Sequence, residues 1–288
     1  MADDSGVVGV VGAGVMGASL AQALTARGVA TVLQDADPAA LQEAAHRIAA
    51  GDRLARLTAG GSGGPADGPG RLSYVTATEE LAHCALVIEN VTEDARVKEA
   101  LHDRLDRILD PGAVVAVNTS AIAVSGLALV TGHPERVVGA HFMNPVATSS
   151  MVEVIRTPYT AQWALDRLGA LVRRLGKDSV VVADATGFVI NRCLMMFINE
   201  AAAVLDDDVA SPQQVDRLFR GCVGHRTGPL RTADIIGIDT IVHTLRVLTD
   251  AYGPERFTPS ARLLRMVRDG HLGRKTGRGF YIYAGEAS

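Results

Sequence analysis

The chain has 288 residues, of which 48% are hydrophobic and 21% are charged. These values lie in the range of soluble globular proteins and exclude disordered, collagen-like and disulfide-scaffold chains. The 28 basic and 32 acidic residues leave a net charge of −4, which gives no electrostatic reason to expect nucleic acid or an anionic membrane as a partner. The length predicts one large domain or two ordinary ones.

Short apolar runs alternate with helical patterns over the first part of the chain. The predicted strands are 7–11, 29–33, 86–91, 114–117, 137–142, 151–155 and 179–182, and the predicted helices are 18–27, 38–57, 97–109 and 160–175. Strands that are apolar throughout, with helices between them, are typical of a parallel sheet covered on both faces. The pattern becomes mainly helical after Asp184, with helices at 188–205 and 233–248 and helix starts at Ser211-Pro212 and Thr258-Pro259.

These patterns predict an α/β protein with two domains. Residues 1–185 are expected to form a doubly wound, mainly parallel sheet of the Rossmann type, and residues 186–288 a C-terminal domain that is all helical. The segment 59–70, AGGSGGPADGPG, is predicted to be a flexible surface loop.

The cysteines and the N-terminus bear on the compartment. Cys84, Cys193 and Cys222 lie among apolar residues with no metal-ligand spacing, so we expect three small buried side chains and no metal site. The N-terminus begins with two aspartates rather than positive charge, and no apolar stretch has the character of a membrane span. A cytoplasmic protein is therefore expected.

A glycine-rich turn follows the first predicted strand. It carries a G-x-G-x-x-G pattern at Gly12, Ala13, Gly14, Val15, Met16 and Gly17. In this pattern the first glycine allows a tight turn, the second lets the backbone approach a pyrophosphate, and the third packs the helix on the strand. Asp35 ends the next strand and would accept hydrogen bonds from the adenosine ribose, which favours NAD over NADP. The alternative for Asp35 is a solvated strand end or a helix cap.

Polar side chains follow or interrupt the later strands. His141 ends the predicted strand 137–142, and Glu153 stands within the apolar run MVEVI, where a carboxylate is costly unless it is paired. A carboxylate that holds one imidazole nitrogen leaves the other free to take a proton, so this pair is a candidate general base. The Asn118-Thr119-Ser120 segment is expected to face the same crevice, unless it is an ordinary capped turn. Asn191 lies on an otherwise apolar helix, and spacing alone favours a surface residue.

The motifs taken together resemble the L-3-hydroxyacyl-CoA dehydrogenase family, including bacterial 3-hydroxybutyryl-CoA dehydrogenases. The resemblance runs from GVVGAGVMG through VIENVTEDARVK, NTS, HFMNP, MVEVI and GFVINR to GRKTGRGFYIY, in the family's order. It implies oxidation of a short 3-hydroxyacyl thioester with NAD, and a homodimer formed through the helical domain.

The resemblance also implies roles by position. His141 matches the family's catalytic base and Glu153 its orienting partner, while Ser120 and Asn191 match residues that bind the substrate's oxygens. Positions that line the cofactor in the family correspond to Glu93, Lys98, Asn144 and Lys275, in addition to the glycine motif and Asp35. The alternatives are a surface pair for Glu93 and Lys98, and a loop charge for Lys275.

Three departures from the family pattern concern the acyl carrier. VATSSM follows HFMNP where the family is more apolar, Thr186 replaces a proline, and AGGSGGPADGPG replaces the tip of a lysine-rich helical hairpin that helps to bind CoA. Arg53 and Arg56 are possible phosphate partners in its place. An acyl carrier protein that bears a short hydroxyacyl group, such as glyceryl, is therefore the alternative to CoA. Two further hypotheses are an NAD-binding sensor without catalysis and a dehydrogenase of free hydroxy acids or sugar acids.

Overall fold

The computed structural model describes residues 6–58 and 69–283, apart from the side chains of residues 54–58. It divides the chain into two units, Met1–Ala185 and Thr186–Ser288. The first contains a β-sheet and its helices, and the second is built from helices.

A sheet of eight strands forms the core of the first unit, in the order β3-β2-β1-β4-β5-β6-β7-β8. Its strands are β1 (Val7–Val11), β2 (Thr31–Gln34), β3 (Leu72–Val75), β4 (Cys84–Glu89), β5 (Val114–Val117), β6 (Val137–His141), β7 (Met151–Arg156) and β8 (Asp178–Ala183). Strands β1 to β6 pair in parallel, β7 runs antiparallel to β6, and β8 is parallel to β7. The predicted doubly wound, mainly parallel sheet is thus confirmed.

Helices connect these strands and cover the sheet. They are α1 (Val15–Thr25), α2 (Pro38–Thr58), α3 (Ala95–Ile108), α4 (Val124–Leu129) and α5 (Gln162–Arg174). Val10, Ile88 and Val138 on the central strands are fully buried, in one cluster with side chains of α1 and α5. Their burial on a sheet covered by helices explains why these strands are apolar throughout.

One edge strand of the sheet was not predicted, and the other was predicted but is more exposed than its apolar sequence indicates. Strand β3 is absent from the predicted strands because LSYV mixes polar and apolar side chains and lacks a continuous apolar run. Strand β8 has the sequence of an ordinary core strand, but Val180 and Val181 are about half exposed, at 52% and 51%. An edge strand pairs on one side only, so apolar composition alone does not reveal its position.

Six helices make up the second unit as far as the structure describes it. They are α6 (Ile190–Asp206), α7 (Pro212–Cys222), α8 (Pro229–Ile236), α9 (Ile238–Tyr252), α10 (Pro254–Phe257) and α11 (Ala261–Arg268). Ile198, Ile241, Leu245, Phe257 and Leu263 are fully buried in its core. Between Thr186 and Tyr283 the structure shows no β-strand, only the isolated β-bridges of Arg278 with Gly273 and Ile282. The helical character of this region is confirmed.

Two helix boundaries in this unit correct the predictions. The single helix expected over 233–248 is interrupted at Gly237, whose φ of +105° is accessible to glycine and strained for other residues. The last helix starts after Ser260, whose side chain accepts a hydrogen bond from Leu263 N–H, and not at Thr258-Pro259. Ser211 does cap α7 as expected: its Oγ accepts from Gln214 N–H, and its own N–H donates to Gln214 Oε1.

The cysteine prediction is right for one residue in three. Cys84 is buried and burial raises the pKa of its thiol to about 12, whereas Cys193 and Cys222 are exposed. Both lie on amphipathic helices, where apolar sequence neighbours can sit on the opposite face. Most of the predicted 59–70 loop, residues 59–68, lies outside the described residues. Among the helices that the structure describes, all are too short or too polar to traverse a bilayer.

Candidate active site

The glycine motif forms the turn between β1 and α1. Gly12 has a φ of +91°, and a Cβ there would lie 2.8 Å from the Asn90 carbonyl oxygen. A Cβ on Gly17 would overlap the Gly12 carbonyl, so the helix packs directly on the turn. A Cβ on Gly14 would meet nothing within 4 Å. Each glycine therefore has the environment that the motif requires, with open space beside the second.

Helix α1 begins at Val15, with Gly14 as its N-cap. No side chain caps this end, so the first backbone N–H groups, at Val15, Met16 and Gly17, have no acceptor within the helix. Such an end attracts anions through these donors and the helix dipole. The residues present thus fit the pyrophosphate of a dinucleotide.

Asp35 follows β2 and lies beside this turn. Its Oδ2 accepts a hydrogen bond from Ala13 N–H at 2.7 Å, and its Oδ1 accepts one from Asp37 N–H at 3.0 Å. Asp37 in turn caps the start of α2 through Ala39 N–H. Asp35 therefore ties the two loops together with its carboxylate next to the glycine turn, as a ribose-binding acid would be.

His141 and Glu153 face each other across neighbouring strands. They are register partners in the antiparallel pair of β6 and β7, and His141 Nδ1 lies 3.0 Å from Glu153 Oε2. The two residues are only 5% and 7% exposed. An ionised carboxylate can only accept, so the proton of a neutral imidazole resides on Nδ1 and the lone pair on Nε2. The histidine thus presents Nε2 as a base.

Ser120 lies on the other side of the imidazole. Its exposed side chain places Oγ 3.4 Å from His141 Nε2. Asn118, two residues earlier, accepts from Phe142 N–H at 3.1 Å and donates to Asn90 Oδ1 at 2.6 Å. These bonds hold together the loops that follow β4, β5 and β6, at the edge where parallel strands end. Thr119, expected to face the same crevice, is instead buried.

Glu93 and Lys98 do not form the surface pair that was the alternative, because Lys98 is buried and Glu93 binds the loop after β5. Glu93 Oε1 accepts from Thr119 Oγ1 at 2.6 Å and from the N–H groups of Ser120 and Ala121 at 2.8 and 3.0 Å. The Lys98 side chain is fully buried, and its Nζ lies 3.6 Å from Glu93 Oε2. One carboxylate therefore holds the loop that carries Ser120.

Asn144 lies in the loop between β6 and β7 and is exposed. Val146, two residues on, donates its N–H to Ser19 Oγ on α1 at 3.3 Å, and its carbonyl accepts from Lys177 Nζ. Lys177 also donates to the Ser149 carbonyl. Burial, aided by the charge of Arg27, lowers the pKa of Lys177. The loop is thus tied to the helix of the glycine turn and to the start of β8.

The remaining predicted residues lie in the helical unit. Asn191 is in the first turn of α6. Lys275 lies in a short 3-10 helix, and its Nζ is 2.6 Å from Asp239 Oδ1, with the two side chains 46% and 40% exposed. The half-exposed pair with Asp239 is compatible both with a cofactor-binding lysine and with an ordinary loop charge. The cofactor role of Lys275 therefore stays a prediction.

Family models match both units of the chain. One described as "3-hydroxyacyl-CoA dehydrogenase, NAD binding domain" matches residues 7–185, and one described as "3-hydroxyacyl-CoA dehydrogenase, C-terminal domain" matches residues 187–283. The chain belongs to the 3-hydroxyacyl-CoA dehydrogenase family. It is an oxidoreductase that acts on a CH–OH group, as the resemblance implied, and its cofactor is NAD, as the residues around Gly12 and Asp35 predicted.

Relatives within this family match over nearly their whole length. A probable 3-hydroxybutyryl-CoA dehydrogenase of Bacillus subtilis is 36% identical over 97% of this chain and 98% of its own. The crystal structure of Mycobacterium tuberculosis FadB2 is 36% identical, with a TM-score of 0.91 over 96% of this chain and 98% of that one. The (S)-3-hydroxybutyryl-CoA dehydrogenase PaaH1 of Ralstonia eutropha is 35% identical, with a TM-score of 0.87 over 96% and 99%.

Two buried charged residues next to the candidate site, Glu89 and Lys177, are not among the residues predicted from the sequence. Glu89 ends β4 with its side chain fully buried, and its Oε1 lies 2.8 Å from Lys98 Nζ. Lys177 holds the loop after His141. Glu89 ends the apolar run ALVIE, and Lys177 follows α5. A charged residue in an apolar run is costly to bury without a partner, and this signal could have revealed Glu89.

Proposed function

We propose that this dehydrogenase oxidises the 3-hydroxyl of a short-chain 3-hydroxyacyl thioester, such as 3-hydroxybutyryl-CoA, with His141 and Glu153 as the general base and its partner. The observation that carries the proposal is the cross-strand pair itself, with Nδ1 held by a carboxylate at 3.0 Å and Nε2 directed toward Ser120. Relatives with names of this activity match almost the whole chain.

The proton balance follows from this geometry. His141 Nε2 accepts the proton of the substrate's 3-hydroxyl as the C3–H bond breaks and a C3=O double bond forms. NAD supplies the acceptor for the hydride that leaves C3. The imidazolium that results is stabilised by the Glu153 carboxylate, since a charge-assisted bond in a buried site is stronger than a neutral one. In the reverse direction the same imidazolium is the acid.

Ser120 and Asn191 are proposed to bind the substrate's oxygens. Ser120 Oγ lies 3.4 Å from His141 Nε2, so a substrate hydroxyl placed beside both atoms is within hydrogen-bond reach of each. Holding C3 in one orientation is a main source of rate in such reactions. Asn191 is assigned to the thioester or hydroxyl oxygen on the family's pattern, and its place in the first turn of α6 supports no finer statement.

The cofactor-binding residues are proposed in two groups. In the first unit, the backbone at Gly12, Gly14 and Gly17 would hold the pyrophosphate and Asp35 the ribose, with Glu93, Lys98 and Asn144 near the rest of the cofactor. In the helical unit the proposed residue is Lys275. The fully buried Lys98 side chain would act through its charge or through Glu93 and not by direct contact.

A short hydroxyacyl group on an acyl carrier protein is the second candidate substrate. The observation that favours it is the loop between His141 and Glu153, where Thr148 and Ser150 are exposed and Ser149 is half-buried. Such a polar loop suits a hydroxylated acyl group better than a fatty one. Arg53, exposed on α2, would be a phosphate partner for either carrier, whereas the side chain of Arg56 lies outside the described residues.

A matched assay separates these substrates. NADH formation would be followed with 3-hydroxybutyryl-CoA, with a glyceryl group on a carrier protein, and with free 3-hydroxybutyrate. The proposal expects turnover of the CoA thioester and little of the free acid. Preference for the carrier protein would replace CoA by the second candidate. Activity with the free acid alone would overturn the thioester proposal.

We also propose a homodimer, formed through the helical unit, in the cytoplasm. Apolar side chains are exposed on that unit, among them Val209 at 72%, Val223 at 60% and Leu218 at 57%. Exposed apolar surface of this kind favours association. Light scattering would test the state, and a Leu218→Glu variant that remains dimeric would place the contact elsewhere.

A further inference from the structure

The loop that carries Ser120 is held by a chain of three charged side chains, two of which are fully buried. Glu89, Lys98 and Glu93, called here the acid–lysine bridge, connect the end of β4 to the loop after β5. Glu89 Oε1 and Oε2 lie 2.8 and 3.0 Å from Lys98 Nζ, and Lys98 Nζ lies 3.6 Å from Glu93 Oε2. We infer that Glu89 is a positioning residue that acts through Lys98 and Glu93 to set Ser120 against His141. The inference rests on the proposed function of Ser120.

Burial makes the bridge sensitive to charge. The side chains of Glu89 and Lys98 are 0% exposed, and Glu93 is 32% exposed. An ammonium group without water requires nearby carboxylate, and removing one partner of a buried pair leaves an uncompensated charge. Lys98 Nζ has only carbonyl oxygens as further acceptors among the described residues, that of Asn118 at 3.4 Å and that of Val91 at 3.5 Å. Without the charge of Glu89, Lys98 would turn toward Glu93.

Glu93 is the link that a shift of Lys98 would disturb. Its Oε1 accepts from the hydroxyl of Thr119 and the N–H groups of Ser120 and Ala121, so it orders the backbone on both sides of the Ser120 side chain. A closer bond to Lys98 would compete with these bonds. The result would be a displacement of Ser120 Oγ from its place 3.4 Å from His141 Nε2.

His102 packs against the Glu89 end of the bridge. Its side chain is fully buried, with Nε2 3.7 Å from Glu89 Oε2, and neither ring nitrogen has a hydrogen-bond partner among the described residues. The groups that face Glu89 are therefore Lys98 and His102, together with the Val91 N–H that donates to Oε1 at 2.7 Å.

A double-mutant cycle with Ser120 tests the inference. Glu89→Gln keeps the shape of the side chain and removes its charge, and we expect kcat/KM to fall about tenfold, since small misplacements of a positioning group cost this much or more. In the Ser120→Ala background the same substitution should have an effect of less than about twofold, because the group that it positions is gone. Rates are expressed per NADH-binding site, titrated by NADH fluorescence, so that loss of folded protein does not count as loss of rate.

A second variant and a control keep the cycle decisive. If Glu89→Gln does not fold, Glu93→Gln takes its place in the same cycle, with the same expected result. The double variant Glu89→Gln/Lys98→Met should recover thermal stability, because both charges of the buried pair are then removed. Asp106→Asn is the matched control, since it breaks another ion pair of the same unit, with Arg136 at 2.8 Å, and should leave the rate per site unchanged in both backgrounds.

Each outcome of the cycle has one meaning. Non-additive effects of Glu89→Gln and Ser120→Ala support the inference. Equal effects of Glu89→Gln in both backgrounds overturn it and leave the role of Ser120 intact. A Ser120→Ala variant with unaltered kcat/KM overturns both the inference and the substrate role proposed for Ser120.

Discussion

Both units of the molecule bury carboxylates, but the partners of these carboxylates differ. In the NAD-binding unit Glu89 is paired with the Lys98 ammonium group, and Glu153 with the His141 imidazole. These partners carry or exchange protons, and both pairs lie near the edge where the parallel strands end. A buried carboxylate with a titratable partner at a sheet edge is typical of a site of chemistry.

The helical unit uses its buried carboxylates for support. Asp216 accepts from two N–H groups in the first turn of α8 and from the Tyr281 hydroxyl, and Asp234 accepts from two N–H groups of the closing segment and from the Tyr283 hydroxyl. Burial is the main cause of the raised pKa of Asp234, and burial beside Asp234 raises the pKa of Tyr283 to about 12. The backbone N–H groups cannot transfer a proton, and burial raises the pKa of both tyrosine hydroxyls, which disfavours their ionisation. These donors therefore hold chain segments in place. The partner, rather than burial, therefore separates the two uses.

The largest expected effect is at the carboxylate with the imidazole partner. Glu153→Gln keeps an acceptor for Nδ1 but removes the charge that stabilises the imidazolium, so we expect kcat to fall by about 100-fold. The NADH dissociation constant should stay close to that of the wild type. Stopped-flow assays with saturating thioester and fluorescence titration measure the two quantities. A kcat within about threefold of the wild-type value would remove Glu153 from the account.

The matching substitution in the helical unit should affect stability instead. Asp216→Ala leaves two N–H groups and a tyrosine hydroxyl without their acceptor, and we expect a loss of about 3 kcal/mol in the free energy of unfolding, on the scale of a few lost buried bonds to a charge. Urea denaturation measures this loss. The rate per folded molecule should be unchanged, and a fall in that rate would contradict the division between the units.

The pH dependence of stability should differ in sign between Asp234 and a cation-paired acid. Burial raises the pKa of Asp106, but hydrogen bonds from three neighbours, chiefly Gly132, lower it by more. The net result is a pKa below the usual 3.8. Its stabilising effect is therefore present above pH 3.8 and lost as the pH falls through the lowered value. The raised pKa of Asp234 has the opposite consequence, since its contribution is full below 3.8 and lost as the pH rises through the folded value.

Melting curves of Asp106→Asn and Asp234→Asn against the wild type would measure these contributions. The difference between wild type and Asp106→Asn should shrink as the pH falls below 3.8. The difference for Asp234→Asn should instead grow in favour of the wild type as the pH falls from neutral toward 3.8, and stay level below that value. The shifts should be smaller than the loss at Asp216. If the two stability differences changed with pH in the same direction, the partners of Asp106 and Asp234 would not determine the direction of their pKa shifts.

The smallest effect is expected for carboxylates that are not buried. Glu43 and Arg47 form an ion pair one turn apart on α2, with side chains 58% and 45% exposed. Water screens such pairs, so Glu43→Gln should cost less than about 0.5 kcal/mol. Urea denaturation in low and high salt checks this value. A loss of stability in Glu43→Gln larger than that in Asp216→Ala would contradict the importance given to burial.

The sequence predicted the sheet and the site where local rules decide the structure. Glycines of the turn at Gly12, the apolar strands and the His141–Glu153 pair follow from backbone geometry, burial and charge. The split at Gly237 was missed because a glycine within an apolar helical pattern does not by itself reveal its φ. Glu89 and Lys177 were missed because their contacts are made with residues elsewhere along the chain. Glu89 pairs with Lys98, and Lys177 donates to carbonyl groups of the loop after Asn144.

We propose that the His141–Glu153 pair carries the proton transfer and that NAD binds at the glycine turn, elsewhere on the same edge of the sheet. Single-turnover formation of NADH by His141→Ala, together with NADH titration of the same sample, tests it most directly. The account predicts a fall of about 1,000-fold in the rate of NADH formation, in the range for a lost general base, with NADH affinity nearly that of the wild type. Loss of both quantities together, or a rate close to the wild-type value, would contradict it.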